Sequence, residues 1–360
     1  TKMLKVNHNK PIKKVIDPQY HADGCLYLDT SNDLWYAGHN SGGYSLGGPS
    51  KRSWDDSYTH NSGKQLVKVM SNVKDAIYAG WSGHETIYVL KNDGKMWCSG
   101  YGGYGNLGDN LSTSRSSYKQ ITRNQFGNET VKSFIVSADY HTKTVYCITN
   151  KNQLWGWGYN GLGQLAQGND TNLKEPKMIF TGGTVKRVWA TRGHYTSVYV
   201  LDSNNKLWAC GYNNQGQLGI GNVTRQKTWK LVSWGAGDSL AKGENIIDIH
   251  TNMRNDGHTS VYIHYKEHGT GKGKIKVAGR NNEGQLGLGN KVANITTFRS
   301  IPYGPDDIDK VHVCHGEEEY AATLFVTDKS GTLYVCGKEN YYMTGSADEP
   351  IRTTLARIDI

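Results

Sequence analysis

GYNGLGQLAQGN (Gly158–Asn169), GYNNQGQLGIGN (Gly211–Asn222) and GRNNEGQLGLGN (Gly279–Asn290) are three near-copies of one phrase. Looser copies stand at GHNSGGYSLG (38–47), GYGGYGNLG (100–108) and GKENYYMTG (337–345). The six leading glycines are 62, 58, 53, 68 and 58 residues apart. A recurring period of this size marks a repeat architecture, in which each unit buries its faces against its neighbours.

The register extends upstream of the glycines. Three residues before each leading Gly stands Trp35, Trp97, Trp155, Trp208, Lys276 or Tyr334. This run is preceded by a turn such as DTSND or DSNNK, and the turn by a second apolar run: CLYL, TIYVL, TVYCI, SVYVL, SVYIHY and TLFVT. Two β-branched and aromatic runs about an Asn/Asp/Gly turn predict an antiparallel hairpin. An earlier run (PIKKVID, QLVKVM, TVKSFIV, TVKRVWA, NIIDIH, DKVHV) and a later one (KQIT, KMIF, WKLV, FRSI, ARID) flank the hairpins, the later one being unclear in the first copy. Four short strands per repeat, six times over, predict an all-β propeller.

The Gly-x-Asn…Gly-Gln-Leu-Gly phrase in one shared register resembles the RCC1 repeat family, and the resemblance covers essentially the whole chain, 1–360. It implies one domain of RCC1-type four-stranded blades. TKMLKV at the start aligns with EPKMIF before the fourth repeat, so residues 1–6 read as the last strand of an earlier repeat. The expectation is six complete repeats plus one strand from a longer protein, in a seven-bladed ring with a six-bladed ring as the alternative.

Composition sets further bounds. No apolar run reaches the ~18 residues of a membrane helix, so membrane insertion is not expected, and no signal peptide is visible. A soluble chain in the cytoplasm or in a virion or surface assembly is expected. A net charge of +9 favours an anionic partner. The lysines gather only into two loose sets, Lys2, Lys5, Lys10, Lys13 and Lys14, and Lys266, Lys272, Lys274 and Lys276, which read as solvated turns; nucleic acid is not the expected partner. The six cysteines form no Cys-x-x-Cys pair and read as free, buried thiols. The string Glu317–Glu319 reads as a solvated turn.

His21, His84, His141, His194 and His258 recur at one place in five repeats, with Tyr320 in the sixth. A histidine on each blade spreads ligands around a ring, whereas zinc needs them ~2 Å from one point. The simpler reading is a histidine at a strand start that hydrogen-bonds backbone at the blade contact. Neither a metal nor a cofactor is expected. The glycines, Asn160, Asn213, Asn281, Gln164, Gln217, Gln285, Leu165, Leu218 and Leu286 read as turn builders.

Function is sought where the copies disagree. Copies one, two and six read as replacing the Gly-Gln-Leu core by aromatic residues: Tyr44 stands for Gln, Tyr101 and Tyr104 surround a glycine-rich turn, and Tyr341 and Tyr342 fill the sixth loop. Tyrosine gives large amphipathic contact area at low side-chain entropy cost. Two insertions, 47–64 and 233–244, each carry a tryptophan, Trp54 and Trp234, able to anchor a partner or to tuck back on its own blade. No nucleophile elbow, His-Glu-x-x-His or other catalytic motif occurs, so an enzyme is not expected. The sequence reading is a non-enzymatic binding or scaffold propeller, an attachment or assembly domain of a larger structural protein such as a phage tail or surface component. Its partner is a protein or a surface glycan. The resemblance supplies two alternatives, a guanine nucleotide exchange factor for a small GTPase and a proteinaceous enzyme inhibitor.

Overall fold

The computed structural model describes residues 10–16, 24–38, 67–80, 83–121, 123–234, 245–252, 257–315, 322–338 and 351–358. These form six four-stranded antiparallel sheets, one per repeat, called blades one to six below. Blade two is representative: Val73–Ala79, Thr86–Lys91, Met96–Gly100 and Arg115–Ile121 pair in sequence order.

One expected strand moves. QLVKVM was read as the leading strand of the second repeat. Instead Val67–Met70 pairs with Leu34–Gly38 and closes blade one, and Val73–Ala79 leads blade two. Only Ser71 and Asn72 separate the two runs, and Asn72 takes the left-handed conformation (φ 62°) that turns the chain between them. The unclear fourth strand of the first repeat is thereby found, displaced downstream by the 47–64 insertion.

The hairpin tips repeat one device. In blades one, four and six an aspartate opens the turn: Asp29 Oδ1 accepts from the amides of Ser31 and Asp33, Asp202 from Asn204 and Lys206, Asp328 from Ser330 and Thr332. The other oxygen accepts from the aromatic residue six positions on, Trp35 (3.0 Å), Trp208 (2.9 Å) or Tyr334 (3.3 Å). The residue type at that position therefore serves the turn as well as the core.

At the opposite end of each sheet lie the first-to-second and third-to-fourth connections. Here the leading glycine of the motif has a specific cause. A Cβ on Gly158, Gly211 or Gly279 would stand 2.3 Å from the carbonyl oxygen of Lys143, Thr196 or Thr259, with φ between +96° and +100°. The next amide donates to that same carbonyl at 2.9 Å. Any side chain would break this contact. Asn213 and Asn281 then receive the amides of Leu218 and Leu286 and donate to the far side of the turn, while Gln217 and Gln285 accept from Gln215 and Glu283. Leu165, Leu218 and Leu286 are fully buried.

The chain divides into two compact units. The first is Thr1–Gly161 with Asp170–Thr184 and Arg192–His194; the second is Leu162–Asn169, Val185–Thr191 and Tyr195–Ile360. In the first unit, one core joins Val89 and Leu28 of blades two and one, and another joins Leu90 and Val136 of blades two and three. In the second, Leu207 and Ile263 of blades four and five share a core, as do Val277 and Val326 of blades five and six. Within each unit, neighbouring blades thus complete one another's core, as a repeat array requires.

All six thiols are free. Burial pushes Cys98 up to about 12 and also raises Cys147, Cys210 and Cys336, so these behave as small apolar side chains. Lys276 departs from the solvated-turn reading. It is fully buried in the tryptophan position of blade five, its ammonium 5.4 Å and 5.9 Å from the ring centres of Tyr265 and Trp234 and donating to Ser300. A cation held between π faces accounts for a lysine in a tryptophan site. Lys272 and Lys274 pair with Asp306 on the surface.

Candidate functional site

Antiparallel order brings the histidine-bearing connection and the Gly-motif loop of a blade to the same end of the sheet. In the first unit this end carries a continuous run of rings. His84 lies 4.6 Å from both Tyr101 and Tyr140, centre to centre, and 6.2 Å from His141. His141 lies 5.5 Å from Tyr140 and 5.8 Å from Tyr104. Tyr104 meets Tyr159 at 5.3 Å, and Tyr159 meets His194 at 5.2 Å. Most of these rings are half-buried; Tyr140 is exposed. They come from three repeats but lie in one compact unit.

The loop around Tyr104 is built for display. Gly105, Asn106 and Leu107 stand where the faithful copies have Gly-Gln-Leu, and Tyr88 Oη donates to the Asn106 carbonyl (3.0 Å) as Tyr199 does to Gln217 and Tyr262 to Gln285. The second copy therefore keeps the shared turn and does not replace its core as the sequence suggests; Tyr104 is added to it, while Tyr101 fills the place of Tyr159 and Tyr212. Tyr104 itself sits at φ 63°, ψ 13°. A bulky residue in the left-handed region is an outlier that costs about 1–3 kcal/mol and clusters at functional sites.

Two charges lie beneath the rings. Glu85 and Lys143 occupy the position, at the start of the second strand, that Thr196 and Thr259 fill in blades four and five, and both are buried. Lys143 Nζ donates to the His84 carbonyl (2.6 Å) and faces the Tyr101 ring at 5.2 Å. Burial pulls its pKa down to about 7, with Asp139 and Glu85 opposing that pull. Asp139 accepts from the amides of His141 (3.0 Å) and Thr142 (2.6 Å), and its other oxygen lies 3.3 Å from Nδ1 of His194. Burial opposes its ionisation, but the bonds from His194 and Thr142 outweigh that, and its pKa falls below the usual range.

For His84 and His141 the expected ring-to-backbone bond is not made through Nδ1. Nδ1 of His84 and of His141 is buried without a hydrogen-bond partner, and His194 is turned to Asp139. The His84 carbonyl accepts from the Lys143 ammonium. Among the described residues no group of three or more His, Cys, Asp or Glu is placed to hold a metal ion, and no helix is long and apolar enough to cross a membrane.

Of the sequence-derived candidates, Tyr101 and Tyr104 lie in this run of rings. Trp234 packs on Phe298 (5.5 Å) beside Lys276 in the other unit. Tyr44, Trp54, Tyr341 and Tyr342 lie outside the described residues, as do His21, Glu317–Glu319 and residues 1–6. Sequence reasoning passed over Glu85, Tyr140, Lys143 and Tyr159. The signal for Glu85 and Lys143 was present, as charges in a column where blades four and five carry Thr196 and Thr259.

Six four-stranded antiparallel sheets in repeat order, sharing cores within each unit, have the blade pattern of an RCC1-like β-propeller. No family model matches the chain. Among solved structures, Prp20p from Saccharomyces cerevisiae, described with its binding to Gsp1p and histones, matches with a TM-score of 0.63 at 15% identity, over 97% of this chain and 77% of that one. Among curated relatives, the X-linked retinitis pigmentosa GTPase regulator of Canis lupus familiaris is 28% identical over 174 residues, 48% of this chain but 15% of that protein's length. The ultraviolet-B receptor UVR8 of Arabidopsis thaliana is 23% identical over 341 residues, 94% of this chain and 67% of that one.

Proposed function

We propose that this chain is a protein-recognition propeller that regulates a small GTPase, without covalent catalysis of its own, through the ring-bearing loop end of blades two to four. The observation that carries the reading is the unbroken run from Tyr101 to His194, displayed on a rigid scaffold and including a tyrosine held at positive φ. Tyrosine and histidine on rigid loops offer contact area with little entropy to lose, which suits a protein partner. The small-GTPase assignment draws on relatives named for GTPase regulation. Fold alone does not transmit function, so the assignment stands on a direct assay.

That assay is release of a fluorescent guanine nucleotide from a panel of purified small GTPases. Acceleration of at least one of them by the wild-type chain, lost in Tyr104→Gly, supports the reading; no acceleration and no binding across the panel rejects it. The attachment or assembly role expected from the sequence uses the same tyrosines but is favoured by none of these relatives' names, and it ranks second. Binding to intact cells or surface glycans that survives Tyr104→Gly would count against it.

A further inference from the structure

One irregularity recurs at the same place in all six blades. Near the hairpin tip, the pairing of the first strand with the second steps over a single residue, leaving a β-bulge at Lys13, Lys74, Lys132, Lys186, Ile247 and Asp309. A bulge re-aims the side chain it carries. The bulge belongs to the scaffold, but the residue type does not, since isoleucine and aspartate serve in blades five and six. The lysines in the other four therefore call for a further reason. In blades one to three, which lie in one compact unit, these lysines are exposed. Each ammonium donates to a neutral oxygen: Lys13 to Asn32 Oδ1 (3.2 Å), Lys74 to the Lys132 carbonyl (2.7 Å) and Lys132 to Asn152 Oδ1 (3.1 Å). Such bonds orient an ammonium without neutralising it, and leave it N–H donors to spare. Lys68, Lys95 and Lys151 of the same blades differ, each meeting a carboxylate, Asp33, Asp93 or Glu129. The one carboxylate on the three first strands, Asp75, is taken up by Lys14 (2.8 Å). The Lys14–Asp75 and Lys74–Lys132 bonds run from one blade to the next, so the three cations form a row across adjoining strands.

We infer that this row is a second docking surface, which takes an acidic segment of a partner protein: its carboxylates meet Lys13, Lys74 and Lys132, and its apolar side chains meet the exposed Ile12 and Val15 that flank Lys13 and Lys14. The inference goes beyond the reading above, since the bulges sit at the hairpin-tip end of the strands and the rings at the other. A row of oriented, uncompensated cations is complementary to a run of carboxylates, and the net charge of +9 draws such a partner toward the chain. Nucleic acid is the poorer fit. The aromatic residues of these strands, Tyr78 and Phe134, are buried, so they offer no ring on which a base could stack. Ile12 and Val15 suit the side chains of a peptide better than a phosphate chain.

The test is fluorescence anisotropy at low salt with the whole chain and four labelled probes: a short peptide of Glu interspersed with Leu, its Gln–Leu and Glu–Ser counterparts, and single-stranded oligo-dT of the same net charge as the first. The Glu–Leu peptide is expected to bind at least about ten-fold more tightly than the Gln–Leu peptide, the sum of three modest exposed ion contacts, and the gap should close as salt rises. Lys13→Gln/Lys74→Gln/Lys132→Gln should abolish that advantage, and Lys13→Arg/Lys74→Arg/Lys132→Arg should retain it. Lys272→Gln/Lys274→Gln/Lys329→Gln makes the same change of charge at lysines already held by Asp306 and Asp307, and should leave it intact. Val15→Ser should weaken the Glu–Leu peptide and not the Glu–Ser peptide. Absence of binding overturns the inference, as does equal binding of the Glu–Leu and Gln–Leu peptides, tighter binding of oligo-dT, or an equal loss in the two glutamine variants. If the first of these variants fails to fold, carbodiimide coupling of the Glu–Leu peptide to the wild-type chain decides. Adducts must favour Lys13, Lys74 and Lys132, and yields no greater there than at Lys272 and Lys274 contradict the inference. None of these readouts involves a GTPase or the ring-bearing loops, so failure of nucleotide release and failure of this surface are separately visible.

Discussion

After Gly211 in blade four the turn runs Gln215, Gly216, Gln217, Leu218; after Gly100 in blade two it runs Tyr104, Gly105, Asn106, Leu107. In both, a buried tyrosine of the second strand donates to the carbonyl of the third of these residues, and the leucine is buried. What differs is the first residue. Gln215 lends its amide to the Gln217 side chain, whereas Tyr104 is held at φ 63° with its ring against His141 and Tyr159. The same contrast recurs below the loop, where Thr196 and Thr259 give way to Glu85 and Lys143. A repeat protein can separate its tasks in this way: backbone-determined positions hold the scaffold, and positions free of that duty carry recognition.

The contrast can be broken at several strengths. The largest effect belongs to the scaffold. Leu218→Ala should cost about 2–5 kcal/mol in chemical denaturation, because the side chain is fully buried and the turn cannot collapse around the cavity. Tyr104→Gly is the converse: stability should hold or rise by about 1 kcal/mol as the positive-φ strain is relieved, while partner binding falls at least about ten-fold. A Tyr104→Gly chain that melts well below wild type would place Tyr104 in the scaffold.

The next effect is a pH dependence. The folded-state pKa of Lys143 is about 7, below the 10.5 of an ordinary lysine. Between those values the unfolded chain binds a proton that the folded chain has released, so this group makes stability rise with pH across that window and level off above it. Lys143→Met should remove the rise and stabilise the chain most below pH 7; denaturant midpoints measured along the pH axis give the answer. The smallest effect is at Asp139, whose lowered pKa contributes stability that is complete above the ordinary 3.8 and lost as pH falls through the folded value. Asp139→Asn should flatten that acid limb and free His194 to move, visible as a change in the His194 ring resonance.

Much of the fold could be read from the chain because its causes are local and repeated. The leading glycines, the Asp-to-aromatic hairpins and the Asn–Gln turns each act within about twenty residues, so their spacing carried the architecture. The misplaced strand at Val67–Met70 shows where that logic ends. Two apolar runs two residues apart look alike, and only pairing with Leu34–Gly38 or Thr86–Lys91 separates them. The site was less legible for the same reason. Tyr104 departs from the pattern and so stands out, but Tyr101, which matches Tyr159 and Tyr212, and His84, His141 and His194 keep to it, and the histidines read as scaffold. That they approach one another across blades, with Tyr140 and Tyr159 between them, is a property of packing that no single repeat contains. Lys143 and Glu85 were visible as departures in one column, yet their burial was not.

The division between scaffold and recognition is tested most directly by a photo-crosslinking amino acid placed at position 104 and, in a second chain, at the equivalent position 215. Each chain is irradiated with the small GTPase whose nucleotide release it most affects. The account predicts a covalent adduct from position 104 and none from 215. Adducts from 215 alone, or equal yields from both, would contradict it.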